Sequence, residues 1–224
     1  MMKRNNFPFS AVLGLNHAKT AILIVLVNPR AGGLLISGPR GIGKSTLMRS
    51  TQELIERPWR DIPVSVTEDR LFGTIDTEKA IYSGQKKLYP VIINEADQGV
   101  LYLDDVNLLR EDLLDFILNI AEVGAYQLER DGLSLRCDTS FTVIAAINPE
   151  SGMLSGACLD QFGLFVNVDN IHDENTRVEI LKRTISFEKD CASFCKLWKL
   201  ENEKIKKAIH SAMSLLPKVV VSSA

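Results

Sequence analysis

The chain has 224 residues, 46% of them hydrophobic and 24% charged, with a formal net charge of −2 and a pI near 6.0. That composition suits a globular domain with a sizeable core, and it offers no global basic character with which to hold nucleic acid. No export signal opens the sequence, and its most apolar run, Ala21 to Val27, is far too short to span a bilayer.

Short apolar, β-branched runs alternate with helical patterns, which predicts an α/β domain around a mainly parallel five-stranded sheet. In chain order, a helix is expected from Ala18 to Val27, broken by Asn28-Pro29, followed by a strand at Leu34–Ser37. A helix from Lys44 to about Glu56 comes next, stopped by Pro58, and then a strand at Ile62–Val66. Val100–Asp104 reads as a third strand. Glu111–Val123 carries leucine and isoleucine at helical spacing and ends on Gly124, a good C-terminal cap. Tyr126–Leu128 and Leu133–Leu135 read as a hairpin through Asp131-Gly132. Strands at Thr142–Ile147 and Leu164–Val168 complete the sheet, and two helices follow, Asp173–Phe187 and Cys191 to Leu216.

Cysteines stand at 137, 158, 191 and 195, and only the last two are close, without further ligands nearby. They read as unpaired, reduced thiols rather than a metal site, which points to the cytoplasm.

The octapeptide Gly38-Pro39-Arg40-Gly41-Ile42-Gly43-Lys44-Ser45 satisfies the phosphate-loop pattern in full, and it sits between a strand and a helix as that pattern requires. Its glycines let successive backbone N–H groups surround a β-phosphate, and the helix start adds its positive dipole end, with Thr46 next in line. Lys44 is expected to reach the β- and γ-phosphates of ATP, and the Ser45 hydroxyl to coordinate Mg²⁺. The run Val100-Leu101-Tyr102-Leu103-Asp104-Asp105 is an apolar strand ending in two acids. Asp104 is expected to hold Mg²⁺ and Asp105 to orient or deprotonate the attacking water. Asn148 closes the next strand, where an amide would meet the γ-phosphate, although Asn148-Pro149 is also a good turn.

A phosphate loop, an acidic strand end and an asparagine on the following strand, in this order, resemble the AAA+ ATPases. More narrowly the chain resembles the I subunit of magnesium chelatase, in the helix-2-insert clade. The matching stretches are Phe7-Pro8-Phe9-Ser10, Asn28-Pro29-Arg30, Thr67 to Gly73, Leu101 to Leu109, Leu128 to Gly132 and Asn148-Pro149-Glu150. The resemblance implies a three-layer sandwich with a helix-2 insert near Asp69–Gln85 and a hairpin near Gly124–Cys137. It implies residues 1–186 as ATPase core and 187–224 as a helical linker and the start of an incomplete C-terminal lid. It also implies a ring, typically a hexamer, working with an integrin-like D subunit and a porphyrin-binding H subunit to insert Mg²⁺ into protoporphyrin. A plastid stroma would then be the compartment in a photosynthetic eukaryote.

Several positions depart from the family's pattern. Asp104-Asp105 stands where Asp-Glu is common, so the second carboxylate is a methylene shorter. Gln161, in Leu159-Asp160-Gln161-Phe162-Gly163, occupies the place of the arginine finger, and Gln98 and Ser155 replace two further arginines. An arginine finger contributes roughly 10³–10⁵ in rate in other NTPases. Three functional readings follow: an active ATPase motor, a nucleotide-binding assembly or regulatory subunit that barely hydrolyses ATP, and a chaperone-like ATPase of the MoxR type. His17, His172 and His210 form no catalytic pattern. Trp59 and Trp198 are expected to pack, and Arg177 to lie on an exposed helix face.

Overall fold

The computed structural model describes residues 6–73, 91–130 and 133–219. After a 3₁₀ turn at Phe9–Ala11 come helix α1 (Asn16–Val27) and strand β1 (Leu34–Ser37), followed by α2 (Lys44–Ser50) and β2 (Trp59–Ile62). Two short helices, α3 (Glu68–Phe72) and α4 (Ile92–Glu95), lead to β3 (Gly99–Leu103) and α5 (Glu111–Val123). An antiparallel hairpin of β4 (Ala125–Arg130) and β5 (Leu133–Asp138) precedes β6 (Phe141–Ile147). The chain closes with α6 (Gly156–Asp160), β7 (Leu164–Asn167), α7 (Glu174–Lys189) and α8 (Cys191–Leu215).

Five strands form one parallel sheet in the order β2-β3-β6-β1-β7. Strands β1, β3 and β6 are buried along their whole length, so they read as unbroken apolar runs. The period of two survives in the direction each residue packs. Leu34, Ile36, Val100, Tyr102, Ile144 and Ala146 face a cluster with α1 and α2. Leu35, Leu101, Leu103, Val143, Ala145 and Ile147 face the opposite cluster, with α3, α4 and α5. Helices on both faces of the sheet make the three layers.

Helix α5 and its Gly124 cap, at φ 77°, coincide with the sequence expectation. Three boundaries differ for identifiable reasons. The strand expected at Ile62–Val66 lies at Trp59–Ile62, paired with Val100 to Leu103, because Pro63 has no N–H to continue the ladder. Helix α2 ends at Ser50 rather than near Glu56 and passes into a 3₁₀ turn, Thr51–Glu53. There the Ser50 and Thr51 hydroxyls donate to the Leu47 and Met48 carbonyls, both at 2.6 Å, in competition with the helical ladder. Strand β3 stops at Leu103, which leaves Asp104 just past its end. The turn Asp131-Gly132 and most of the expected insert at Asp69–Gln85 lie outside the described residues.

The C-terminal helices pack on the same body. Helix α7 runs through residues 186 and 187 and breaks at Asp190, whose carboxylate accepts the Ser193 N–H at 3.0 Å and caps α8. Phe7, Phe187 and Phe194 pack mutually with centroids 5.1 to 5.7 Å apart, tying the start of the chain to this break. Further along α8, Asn202 accepts the Ser10 N–H at 2.9 Å, and Ile209 reaches the core. No helix among the described residues is long and apolar enough to cross a membrane.

Candidate functional site

In a parallel sheet all strands end on one edge, and ligands bind outside those carboxyl ends. Ser37 pairs with Ile147, so Gly38 and Asn148 leave β1 and β6 side by side. Leu103 pairs with Ala145, which brings Asp104 out on the neighbouring strand two residues short of Asn148. Register alone therefore gathers the loop, the acidic pair and the asparagine along one edge.

The loop is shaped by its glycines. A Cβ on Gly38 would stand 2.5 Å from the Val168 carbonyl oxygen, so only glycine permits the loop to leave the sheet here. Gly43 adopts φ +91° where nothing lies within 4 Å of a would-be Cβ, leaving the helix start open to a ligand. Lys44 is only 7% exposed and donates to the Gly38 and Pro39 carbonyls at 2.6 and 2.8 Å. Burial pulls its ammonium below the ordinary value, while the Asp105 and Asp104 carboxylates pull it back up and Arg40 adds to the lowering. The two acids and the lysine therefore share one electrostatic neighbourhood.

Ser45 donates its hydroxyl to Asp104 Oδ1 at 3.1 Å, across fifty-nine residues of sequence. Arg49 Nη2 stands 3.6 Å from the other carboxylate oxygen. An aliphatic hydroxyl beside a carboxylate at the first turn of the phosphate-loop helix is an oxygen donor set suited to Mg²⁺. Asp105 holds φ 47° and ψ 49°, a left-handed conformation that aspartate tolerates better than longer acids.

Asn148 is 1% exposed and its amide is occupied. Its Oδ1 accepts the Glu150 N–H at 3.3 Å, and its Nδ2 donates to Ser151 Oγ at 3.2 Å. Arg40 also donates to Ser151 Oγ at 3.3 Å, so a two-step bridge joins the phosphate loop to the end of β6. Asn107 Nδ2 lies 3.5 Å from the Asn148 carbonyl, beneath this bridge.

A cavity of about 490 Å³ continues from the loop on the side away from the acids. Phe7, Val12, Ile42, Thr46, Ile171 and Arg183 are among its walls, and Arg177 also borders it. Pattern reading missed this pocket, because its walls come from the first residues, the loop and α7. The Phe7-Pro8-Phe9-Ser10 stretch was the available signal. Arg183 fastens the pocket by donating to the Ala11 carbonyl at 3.0 Å while its guanidinium lies 4.5 Å from the Trp198 ring. The cavity has the size of a small-molecule site, lined by apolar side chains together with Gly41, Gly43 and Thr46 of the loop and helix start.

The family model for an AAA domain of the dynein-related subfamily matches residues 33–161. The magnesium-chelatase 38 kDa subunit of Cereibacter sphaeroides is 35% identical, over 95% of this chain and 74% of its own length. The chain belongs to the magnesium-chelatase I-subunit family of AAA proteins. The 38 kDa subunit of Chlorobaculum tepidum is 34% identical over 97% of this chain, which spans 66% of that relative's length. A magnesium-chelatase subunit ChlI homolog of Methanocaldococcus jannaschii is 33% identical, over 99% of this chain and 71% of its own. Among solved structures, a chain in a cryo-EM-based complex of the BchI and BchD subunits of magnesium chelatase superposes with TM-score 0.70 at 35% identity, covering 96% of this chain and 77% of that one.

The three positions expected to replace arginines do not fall together. Ser155 and Gln161 bracket α6, where Ser155 accepts the Cys158 N–H at 3.4 Å as helix cap and Gln161 is exposed. Gln98 lies in a turn before β3, at φ 57° and at the opposite end of that strand from Asp104.

Proposed function

We propose that this chain binds Mg²⁺·ATP at the carboxyl edge of its sheet and serves as the ATP-driven motor subunit of a metal-chelatase-type complex. The observation that carries the proposal is the Ser45–Asp104 hydrogen bond beside the buried Lys44, at the open N-terminus of α2. The loop from Gly38 through Pro39, Arg40, Gly41, Ile42 and Gly43 to Thr46 would hold the phosphates, with the base in the Phe7–Arg183 pocket. Lys44 exchanges its two loop carbonyls for phosphate oxygens. Ser45 and Asp104 would hold Mg²⁺, which would supply charge neutralisation to the phosphates when bound. Asp105 orients the attacking water, and Asn148, positioned through Ser151, faces the γ-phosphate from β6.

The magnesium-chelatase resemblance supports assembly as a ring, a hexamer in the family, alongside integrin-like D-type and porphyrin-binding H-type subunits. In that setting the substrate Mg²⁺ is delivered to a porphyrin. Residues 1–186 then form the ATPase core, and 187–224 the linker and the opening of a lid. A neutral, exposed Gln161 in the arginine-finger place favours a second reading, in which the chain holds ATP but turns it over slowly.

Steady-state phosphate release by the purified chain, alone and with a co-expressed D-type partner, separates the two. The motor reading expects turnover that Lys44→Ala removes by at least about 100-fold, the scale of losing strong contacts to a charged group. Mg²⁺-dependent ATP binding with no release in either setting would establish the slow-turnover reading instead.

A further inference from the structure

Tyr102 is the residue two before Asp104 and lies on the same face of β3, toward α2. It is 1% exposed, yet its hydroxyl has no hydrogen-bond partner among the described residues. Such an orphan is rare in a native core and calls for an explanation. The ring cannot swing the hydroxyl elsewhere: it is walled by the α1–α2 cluster and by Trp59, whose centroid lies 5.8 Å away. Ser45 and Asp104 stand close to the hydroxyl without meeting hydrogen-bond geometry, and the charge of Arg49 reaches it too; these three are the group gathered at the expected metal position.

We propose that Tyr102 is a positioning residue whose buried O–H is held ready for the Ser45–Asp104 pair and is engaged only when that pair holds Mg²⁺. The proposal rests on the reading of Ser45 and Asp104 as the metal pair. In the present geometry the Ser45 proton goes to Asp104 Oδ1 and Arg49 faces Oδ2, so the phenol stays beside the pair without closing a hydrogen bond. A carboxylate has about four lone-pair sites, so Asp104 can accept from Tyr102 while it also serves the metal. A donor fixed by the core would set the carboxylate's orientation without occupying a coordination position, as partners of metal ligands do elsewhere.

The test is Tyr102→Phe in the full chain, which removes one oxygen and keeps the ring against Trp59. Binding of a fluorescent methylanthraniloyl-ADP is titrated in EDTA and again with saturating Mg²⁺, and the nucleotide-free chain is melted in EDTA. The expected result is affinity in EDTA within twofold of the parent, with the gain that Mg²⁺ adds reduced about tenfold, the low end of what outer partners of metal ligands contribute. The melting temperature without nucleotide is expected to hold or rise, because an unmet polar group has been removed. An undiminished Mg²⁺ gain overturns the proposal. So does equal weakening in both buffers with a lowered melting temperature, which would make the hydroxyl a structural group. A parent chain whose affinity ignores Mg²⁺ overturns the metal-pair reading, and the Tyr102 role with it.

Discussion

The two ends of the candidate nucleotide site are built in opposite ways. At the phosphate end, one octapeptide supplies the backbone cradle, the lysine and the hydroxyl, and two strand ends add Asp104 and Asn148 through sheet register. At the base end, the walls come from Phe7 and Val12, from Ile42, and from Ile171 and Arg183. Only long-range packing, such as Arg183 on the Ala11 carbonyl and Phe7 on Phe187, brings them together. The first end is local chemistry with its signature written in order; the second is a product of tertiary closure. The difference implies that the two can be damaged independently.

The largest effect is expected at neither end but at the edge of α6. Gln161→Arg, placed in an assembled ring, should raise phosphate release by about 10³-fold, the low end of what an arginine finger contributes. Unchanged turnover there would remove residue 161 from the catalytic interface and leave the site wholly within one chain.

Next in size, Phe7→Ala should separate the two ends directly. Competition titrations against a labelled nucleotide are expected to show ATP weakened about tenfold, the loss of one aromatic wall, while inorganic tripolyphosphate is held as before. If tripolyphosphate weakens equally, the Phe7 pocket supports the loop rather than a base, and the comparison of ends collapses.

The smallest change is one of stability. Gly38→Ala forces a methyl against the Val168 carbonyl, which a rigid strand end cannot yield. Overpacking of this kind costs about 1–3 kcal/mol, a fall of roughly 3–10 °C in a chain of this size. Thermal melting checks it. An unchanged melting temperature would mean that the β1–β7 edge gives way, and that the phosphate end is less firmly built than its short contacts suggest.

Sequence by itself determined the α/β alternation, the parallel sheet, the phosphate loop and the strand that ends in acids. Each of these is carried by neighbouring residues: unbroken apolar runs for strands buried on both faces, glycines where the loop leaves β1, and a Gly124 stop for α5. It placed Asp104 and Asn148 because strand ends in a parallel sheet share an edge whatever lies between them. Tertiary structure decided the rest. Pro63 and the Ser50 and Thr51 hydroxyls moved two boundaries through hydrogen bonds that no apolar pattern encodes. The left-handed turn at Asp105, the engagement of Asn148 by Ser151, the separation of Gln98 from Gln161 and the orphan Tyr102 hydroxyl all depend on side chains meeting across the fold. The base pocket depends on it most, since its walls are joined only when α7 and α8 close over the first residues of the chain.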